Sequence, residues 1–230
     1  MLDTIEHETW PRGILQPRDV AIDLVPRNTT GLTNAAGRTQ VIGQSAGTWS
    51  ITFGSILVNT RERVLAWRAF AARLGGRAGK VVLPLCGAYQ PLEWREAKVV
   101  GGETPPGVPF GDDSYFDDGM GFASSVTSSV KQTPLRAVEI EADSNAAVME
   151  AGQHFSIGTS LYRVRAVQVL SDGSAKIAFT PPLRRAVEEG ETMELGSPVI
   201  LARLATDREM DLMLEGGRMA RPSVRFTEVL

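Results

Sequence analysis

The residue types that carry catalytic chemistry are scarce in this chain. Its histidines are His7, in an acidic leader, and His154, next to Phe155, and its single cysteine is Cys86. Nothing in their spacing places them in one site, so a nucleophile activated by histidine has little support. Zinc needs three or four clustered cysteine or histidine ligands, which these residues do not supply. We interpret His154 as a structural or surface histidine, and Cys86 as a buried, inert thiol.

Carboxylates offer a second kind of chemistry. Residues 112–118 place Asp112, Asp113, Asp117 and Asp118 within one short segment, a density that raises the question of calcium. Counted from either of the first two aspartates, the alternate ligand positions fall on aromatic residues, and the central glycine of an EF-hand loop is missing. The pattern favours a solvated acidic loop over a calcium site.

Two further sequence patterns bear on enzymatic chemistry. Glu139, Glu141 and the cluster from Asp112 to Asp118 could supply paired carboxylates for glycoside hydrolysis, but acidic residues are common and no other feature points to a hydrolase. The segment 75–81 contains a Gly-Lys pair, yet it follows a predicted helix and lacks the spacing and the hydroxyl residue of a phosphate-binding loop. We predict no catalytic, cofactor-binding or metal-binding residues, no cofactor, and no enzymatic activity.

Charge and hydropathy argue against several further classes of protein. The net charge is −3, and the lysines and arginines are scattered, whereas binding to nucleic acid needs a concentrated basic surface. The N-terminus lacks the basic and apolar regions of a secretory signal. No apolar stretch approaches the roughly 20 residues that cross a bilayer. We therefore expect a soluble chain with no membrane partner.

Short β-type runs separated by Gly, Asn, Asp and Ser predict a mainly β protein. Polar and apolar residues alternate at 19–25 and again at 48–53, where Trp49, Ile51 and Phe53 share one face. Residues 38–43 follow a loop of Asn, Thr and Gly. These three segments are predicted to be half-buried strands.

The period changes to that of a helix at residues 61–74. Thr60 is a suitable N-cap, and Gly75 with Gly76 supplies the stop. The aromatic residues at helical spacing are interpreted as core packing rather than as a cofactor-binding face. The predicted apolar stripe consists of Val64, Leu65, Trp67, Phe70, Ala71 and Leu74.

The second half of the chain predicts further strands around one long loop. Residues 101–133 are rich in Gly, Pro, Asp and Ser, as in an exposed loop, and Asp-Gly at 172–173 marks a hairpin turn. Residues 183–187 are predicted to be a turn or a short helical piece. The remaining strands are predicted at 80–85, 91–100, 135–142, 154–157, 161–170, 175–180, 190–195, 199–204, 210–215 and 224–229.

The pattern from end to end resembles that of distal tail and tail-tube-like proteins of long-tailed phages and gene transfer agents. Four features carry this resemblance: Trp10-Pro11 before the first strands; the strand–helix–strand order; a later module; and the closing strand. The strand–helix–strand order covers 49–58, 61–74 and 80–85, the module contains 151–158, 161–164, 177–184 and 190–191, and the closing strand is 224–228.

The resemblance implies an architecture and a function. A ring-forming β sandwich or barrel with one flanking helix would span 1–100 and be completed by 196–230, and a small peripheral β barrel would span 134–195. The chain would form a homo-hexameric distal tail ring in the virion, assembled in the host cytoplasm, that joins the tail tube to hub or baseplate proteins. DNA would pass through the lumen without specific binding, and the acidic loop would face the lumen or an adjacent ring.

Alternatives stay open at this point. The module at 134–195 could instead bind a carbohydrate or a receptor-binding protein at the tail tip, and Phe155 and Tyr162 are its aromatic candidates, although a core position suits both better. Another structural tail or capsid component fits the same pattern. Ring assembly would also cover the exposed strand edges that an all-β chain must pair or protect.

Overall fold

Residues 7–27, 29–33, 39–42, 47–85, 90 and 127–230 are described by the computed structural model of this chain. Three predictions lie outside these residues: the strand at 91–100, the acidic segment at 112–118 with its calcium question, and the burial of Cys86.

Strand accounts for 41% and helix for 13% of the structure, so the predicted mainly β class is confirmed. Short 3-10 helices occur at Gly76–Ala78 and Ser144–Val148. In chain order the other elements are β1 Glu8–Thr9, β2 Asp19–Val25, β3 Thr29–Thr33, β4 Thr39–Ile42, β5 Thr48–Gly54, α1 Arg61–Leu74, β6 Val81–Pro84, β7 Thr127–Ser129, β8 Glu139–Ala142, β9 His154–Ile157, β10 Ser160–Val169, β11 Ala175–Thr180, β12 Thr192–Glu194, β13 Val199–Leu204 and β14 Val224–Glu228.

The chain divides into two compact units. Unit 1 comprises Met1–Pro84 and Ile200–Leu230, and unit 2 comprises Leu85–Val199. Unit 2 is therefore a single insertion between the two segments that build unit 1. The sequence predicts the boundaries of the ring-forming domain near residues 100 and 196.

Unit 1 contains a six-stranded sheet in the order β1-β6-β13-β14-β5-β2. The C-terminal strand β14 pairs with β5 in antiparallel register, with Phe226 opposite Ile51, and it also pairs with β13. The two C-terminal strands, β13 and β14, thus lie in the middle of the sheet, between strands from the N-terminal part of the chain. A separate two-stranded ladder joins β3 and β4.

Trp10 lies at the centre of the unit 1 core. Its ring makes edge contacts with Phe53, Phe70 and Phe226 at centroid distances of 5.5, 5.2 and 5.6 Å, and with Trp67 at 6.4 Å. The indole Nε1 donates a hydrogen bond to the Leu15 carbonyl at 2.9 Å, which satisfies the buried N–H. Edge contacts of this kind each add about 1 kcal/mol beyond area burial. Trp10, the aromatic residue of the Trp-Pro pair in the resemblance, is therefore a core residue.

Helix α1 begins and ends where the sequence predicted. The Thr60 side chain accepts a hydrogen bond from the Arg63 N–H, and Gly75 ends the helix with φ 58°, in the left-handed region. Trp67, Phe70 and Leu74 are buried as expected, but Leu65 is 47% exposed. The predicted stripe was therefore too wide, because Leu65 lies on a different side of the helix from Trp67 and Phe70.

Unit 2 contains the second six-stranded sheet, in the order β7-β12-β9-β10-β11-β8. One of the two six-stranded sheets curls into a half-barrel. In unit 2, a bridge between Val130 and Ala142 joins the end of β7 to β8, and the Lys131 N–H donates to the Glu141 carbonyl at 2.8 Å. The first and last strands of this sheet order are thus hydrogen-bonded to one another at their ends.

Three aromatic rings form the centre of the unit 2 core. Phe155 stacks on Tyr162 at 5.3 Å, and Phe179 meets both rings edge-on. The Tyr162 hydroxyl accepts a hydrogen bond from the Arg184 N–H at 3.1 Å, and burial raises the pKa of this phenol. The core interpretation of Phe155 and Tyr162 is confirmed.

Several element predictions need correction. The strand predicted at 210–215 is wrong: this segment is irregular, and its Met210 carbonyl accepts a hydrogen bond from the Trp67 Nε1 at 2.9 Å. The strand predicted at 135–142 starts only at Glu139, because residues 134–137 form a turn in which Arg136 has φ 65°. Residues 183–187 form no helix. The prediction missed β1, β3 and β7, and β7 lies at the end of the segment predicted to be a loop.

Candidate functional site

His154, the histidine weighed for catalysis, is held by polar neighbours in unit 2. It lies opposite Arg163 in the β9–β10 register, and the Arg163 Nε donates to its Nε2 at 3.0 Å. The backbone N–H of His154 donates to the Gln90 Oε1 at 3.2 Å. Burial, together with the positive charge of Arg163, lowers the pKa of His154 to about 4. The imidazole is thus neutral at pH 7 and acts as a hydrogen-bond acceptor.

The two glutamates weighed for hydrolysis are engaged with lysines. Glu141 pairs with Lys131 at 2.9 Å, and Glu139 pairs with Lys176 at 2.7 Å. These hydrogen bonds, with the glutamate charges, raise the pKa of both lysines. The four side chains line an open cavity of about 360 Å³ together with Gln132, Thr133 and Ile140. Each of the two carboxylates is thus engaged in an ion pair with a lysine.

Asp143 has a structural role beside this cavity. Burial acts to raise its pKa, but hydrogen bonds from the Ser128 hydroxyl and from the N–H groups of Ser129 and Asn145 outweigh that effect and lower it. Ser128 and Ser129 belong to β7, whereas Asp143 follows β8. The carboxylate therefore connects the first and last strands of the unit 2 sheet.

The Gly-Lys segment at 75–81, the other candidate among the described residues, does not form a phosphate-binding loop. Gly75 donates its N–H to the Ala71 carbonyl at 3.1 Å, so the Gly-Lys segment ends a helix. Within the residues that the structure describes, no three His, Cys, Asp or Glu side chains cluster as metal ligands. In the same residues, no helix is long and apolar enough to cross a membrane.

The outermost strand of the unit 1 sheet has an incompletely covered apolar face. Val20, Ile22 and Leu24 of β2 lie opposite Phe53, Ile51 and Trp49 of β5. These three β5 residues are fully buried, whereas Val20, Ile22 and Leu24 are only half-buried. The apolar layer of the core thus extends to β2, where less of it is covered. A long strand with this character at the end of a sheet is a surface for pairing or packing with another chain.

A second surface of unit 1 is a groove between α1 and a turn near the C-terminus. It encloses about 500 Å³ and is lined by Asn59, Thr60, Arg61, Val64, Leu65, Arg68, Leu214, Gly217 and Arg218. We call it the arginine groove. Its helix wall consists of residues three or four positions apart, which lie on one face of α1. Sequence reasoning missed it because it assigned the apolar residues of this wall to the core.

No family model matches the chain, and no curated protein matches it significantly. The candidate surfaces therefore have to be interpreted from their own geometry. Two of them, the edge strand β2 and the arginine groove, suit contacts with other chains better than chemistry on a small substrate.

Proposed function

We propose that this chain is a structural protein of a phage-type or gene-transfer-agent tail, a distal tail ring that joins the tail tube to the hub or baseplate. The half-covered edge strand β2 is the observation that carries the proposal. A ring places the same edge of every subunit against a neighbour, so that the exposed strand of each copy is covered and the assembly closes.

Two further features support a structural role. Unit 1 combines a sheet with one packed helix, and unit 2 is a separate β unit inserted into it, as the resemblance implies for a ring domain that carries a peripheral barrel. Among the described residues of unit 2, Glu139, Glu141 and His154 are each paired with a basic side chain. The aromatic side chains at 155 and 162 lie in the core and are not platforms for a sugar.

The first test is the mass of the purified protein by light scattering after size exclusion, with negative-stain electron microscopy of the same peak. The proposal expects a hexameric ring with a central channel. A chain that stays monomeric at every accessible concentration and shows no rings on the grid would contradict it.

An edge variant tests whether β2 makes the ring contact. Ala21 is exposed on β2, opposite Thr52 of β5, so a lysine there adds charge to the edge without entering the core. Ala21→Lys is expected to shift the ring towards monomers. The matched control is Thr52→Lys, which puts the same charge on the same face one strand further in and should leave the ring intact.

A further inference from the structure

The arginine groove carries an inference that does not depend on ring formation. Arg61, Val64, Leu65 and Arg68 form its helix wall, and Leu214, Gly217 and Arg218 form the opposite wall. On the helix wall, Val64 and Leu65 lie between Arg61 and Arg68 along the chain, so the groove combines apolar and cationic side chains. Met213, next to the second wall, is 86% exposed. Arginine and methionine with exposed aliphatic side chains are typical of protein-binding surfaces.

The groove carries three guanidinium groups, those of Arg61, Arg68 and Arg218. In the part of the chain that the structure describes, Arg61, Arg68 and Arg218 form no ion pair with a carboxylate. By contrast, Arg225 pairs with Glu209, and Arg73 pairs with Glu8. Three positive charges around one concave surface attract a negatively charged partner, and guanidinium groups suit carboxylates because they can donate two parallel hydrogen bonds.

The two walls are fixed to each other before anything binds. Val58 and Ala220, at the bases of the two walls, exchange backbone hydrogen bonds of 3.0 and 2.9 Å. The turn is closed by the Glu215 N–H, which donates to the Met219 carbonyl at 2.7 Å, and Gly216 and Gly217 take the positive φ angles that it needs. A groove that is already formed loses little conformational entropy when it binds a ligand.

We propose that the arginine groove binds an acidic peptide segment of another protein, in which carboxylates alternate with apolar side chains. The carboxylates would pair with the three arginines, and the apolar side chains would cover Val64, Leu65 and Leu214. This occupant is favoured over nucleic acid because phosphate binding depends on charge and gains nothing from the apolar side chains of the groove.

The test uses the full chain and a fluorescent peptide in which Glu alternates with Leu and Phe, with binding measured by anisotropy. Binding is expected, and Arg68→Glu and Arg218→Glu, one from each wall, should each weaken it roughly tenfold. Leu65→Ser should also weaken it. Arg203→Glu is the matched control, because this exposed arginine of β13 alternates with the buried Ala202 and Leu204 and so faces away from the core.

A charge-swapped pair tests the geometry directly. The Arg68→Glu/Arg218→Glu double variant should bind the same peptide with Lys in place of Glu, which the unchanged protein should not bind. Circular dichroism melting of each variant checks that folding is retained. The proposal is overturned if the acidic peptide does not bind, if Arg203→Glu weakens binding as much as the groove variants, or if oligothymidylate binds more tightly than the peptide and is indifferent to Leu65→Ser.

Discussion

At the scale of single residues, His154 makes the stability of unit 2 depend on pH. Its pKa is lowered from 6.5 to about 4 in the folded chain by burial and by Arg163. As the pH falls through 6.5 the unfolded chain takes up a proton that the folded chain does not accept until about pH 4. The free energy of unfolding is therefore expected to fall across this window, by about 2–3 kcal/mol in total.

Urea unfolding of the protein and of His154→Gln, measured between pH 7 and pH 4.5, tests this expectation. Glutamine keeps an acceptor for the Arg163 Nε but does not titrate, so the variant should lose most of the slope. The pKa values of Asp143 and Glu191 are lowered from 3.8 and 4.5, so their contributions are lost mainly at lower pH. An unchanged slope in the variant would assign the pH dependence to other groups.

Arg136 provides a second prediction at this scale. It has φ 65° in the turn closed by the Ala137 N–H and the Pro134 carbonyl, 3.3 Å apart, and left-handed backbone is costly for any residue with a Cβ. Arg136→Gly relieves that cost but gives the unfolded chain more freedom. We expect a net stabilisation of about 0.5 kcal/mol by urea unfolding. Arg136→Ala retains the Cβ and should show no gain; an equal gain would mean that the arginine side chain, and not the backbone, is responsible.

At the scale of elements, the N-cap of α1 contributes measurable stability. The Thr60 Oγ1 accepts a hydrogen bond from the Arg63 N–H at 3.3 Å. Thr60→Ala removes this acceptor and is expected to lower the free energy of unfolding of unit 1 by about 1 kcal/mol. Thr60→Ser keeps the hydroxyl and should be close to neutral when both variants are compared by thermal and urea unfolding. Equal losses in the two variants would show that the Thr60 methyl group, not the cap, is responsible.

The elements that could be predicted from the sequence are those whose signal is local. The alternation in β2 and β5 and the cap, period and glycine stop of α1 are all written in neighbouring residues, and the structure has these elements within a residue of the predicted bounds. β3 and β7 consist largely of Thr and Ser and carry no apolar alternation. They are strands because each pairs with a partner strand, β3 with β4 and β7 with β12.

The same reasoning explains why the arginine groove could not be predicted. The period of α1 shows that Val64 and Leu65 are apolar, but not which side of the helix meets the core. The side of α1 that faces the core is the side on which Trp10 packs. The second wall of the arginine groove comes from a turn about 150 residues further along the chain. Residues 210–215 were wrongly predicted to be a strand because of their apolar run. In the structure the Met210 carbonyl accepts a hydrogen bond from the Trp67 Nε1, and the segment is irregular.

At the scale of the whole molecule, unit 2 is an insertion with closely spaced ends. The Leu85 N–H, just after β6, donates to the Pro198 carbonyl, just before β13, at 3.0 Å. β6 and β13 are neighbours in the unit 1 sheet, so the chain leaves that sheet and re-enters it at nearly the same point. This geometry matches that of a tight hairpin into which a unit has been inserted.

A chain in which residues 86–197 are replaced by Asn-Gly, and Pro198 by Thr to supply the N–H that the turn needs, is therefore predicted to fold as unit 1 alone. The type I′ turn favoured by Asn-Gly would join β6 directly to β13, and the Trp10 core would keep all its aromatic partners. The expected result is a cooperative thermal transition with dispersed amide signals by nuclear magnetic resonance.

Removing residues 200–230 provides the contrast, since it deletes β13 and β14 from the middle of the sheet and takes Phe226 from the core. That chain should lose the unit 1 transition, because β5 and β6 no longer share a sheet. If the Asn-Gly chain is unfolded as well, unit 1 depends on unit 2 for its stability, and the division into two independently folding units is wrong.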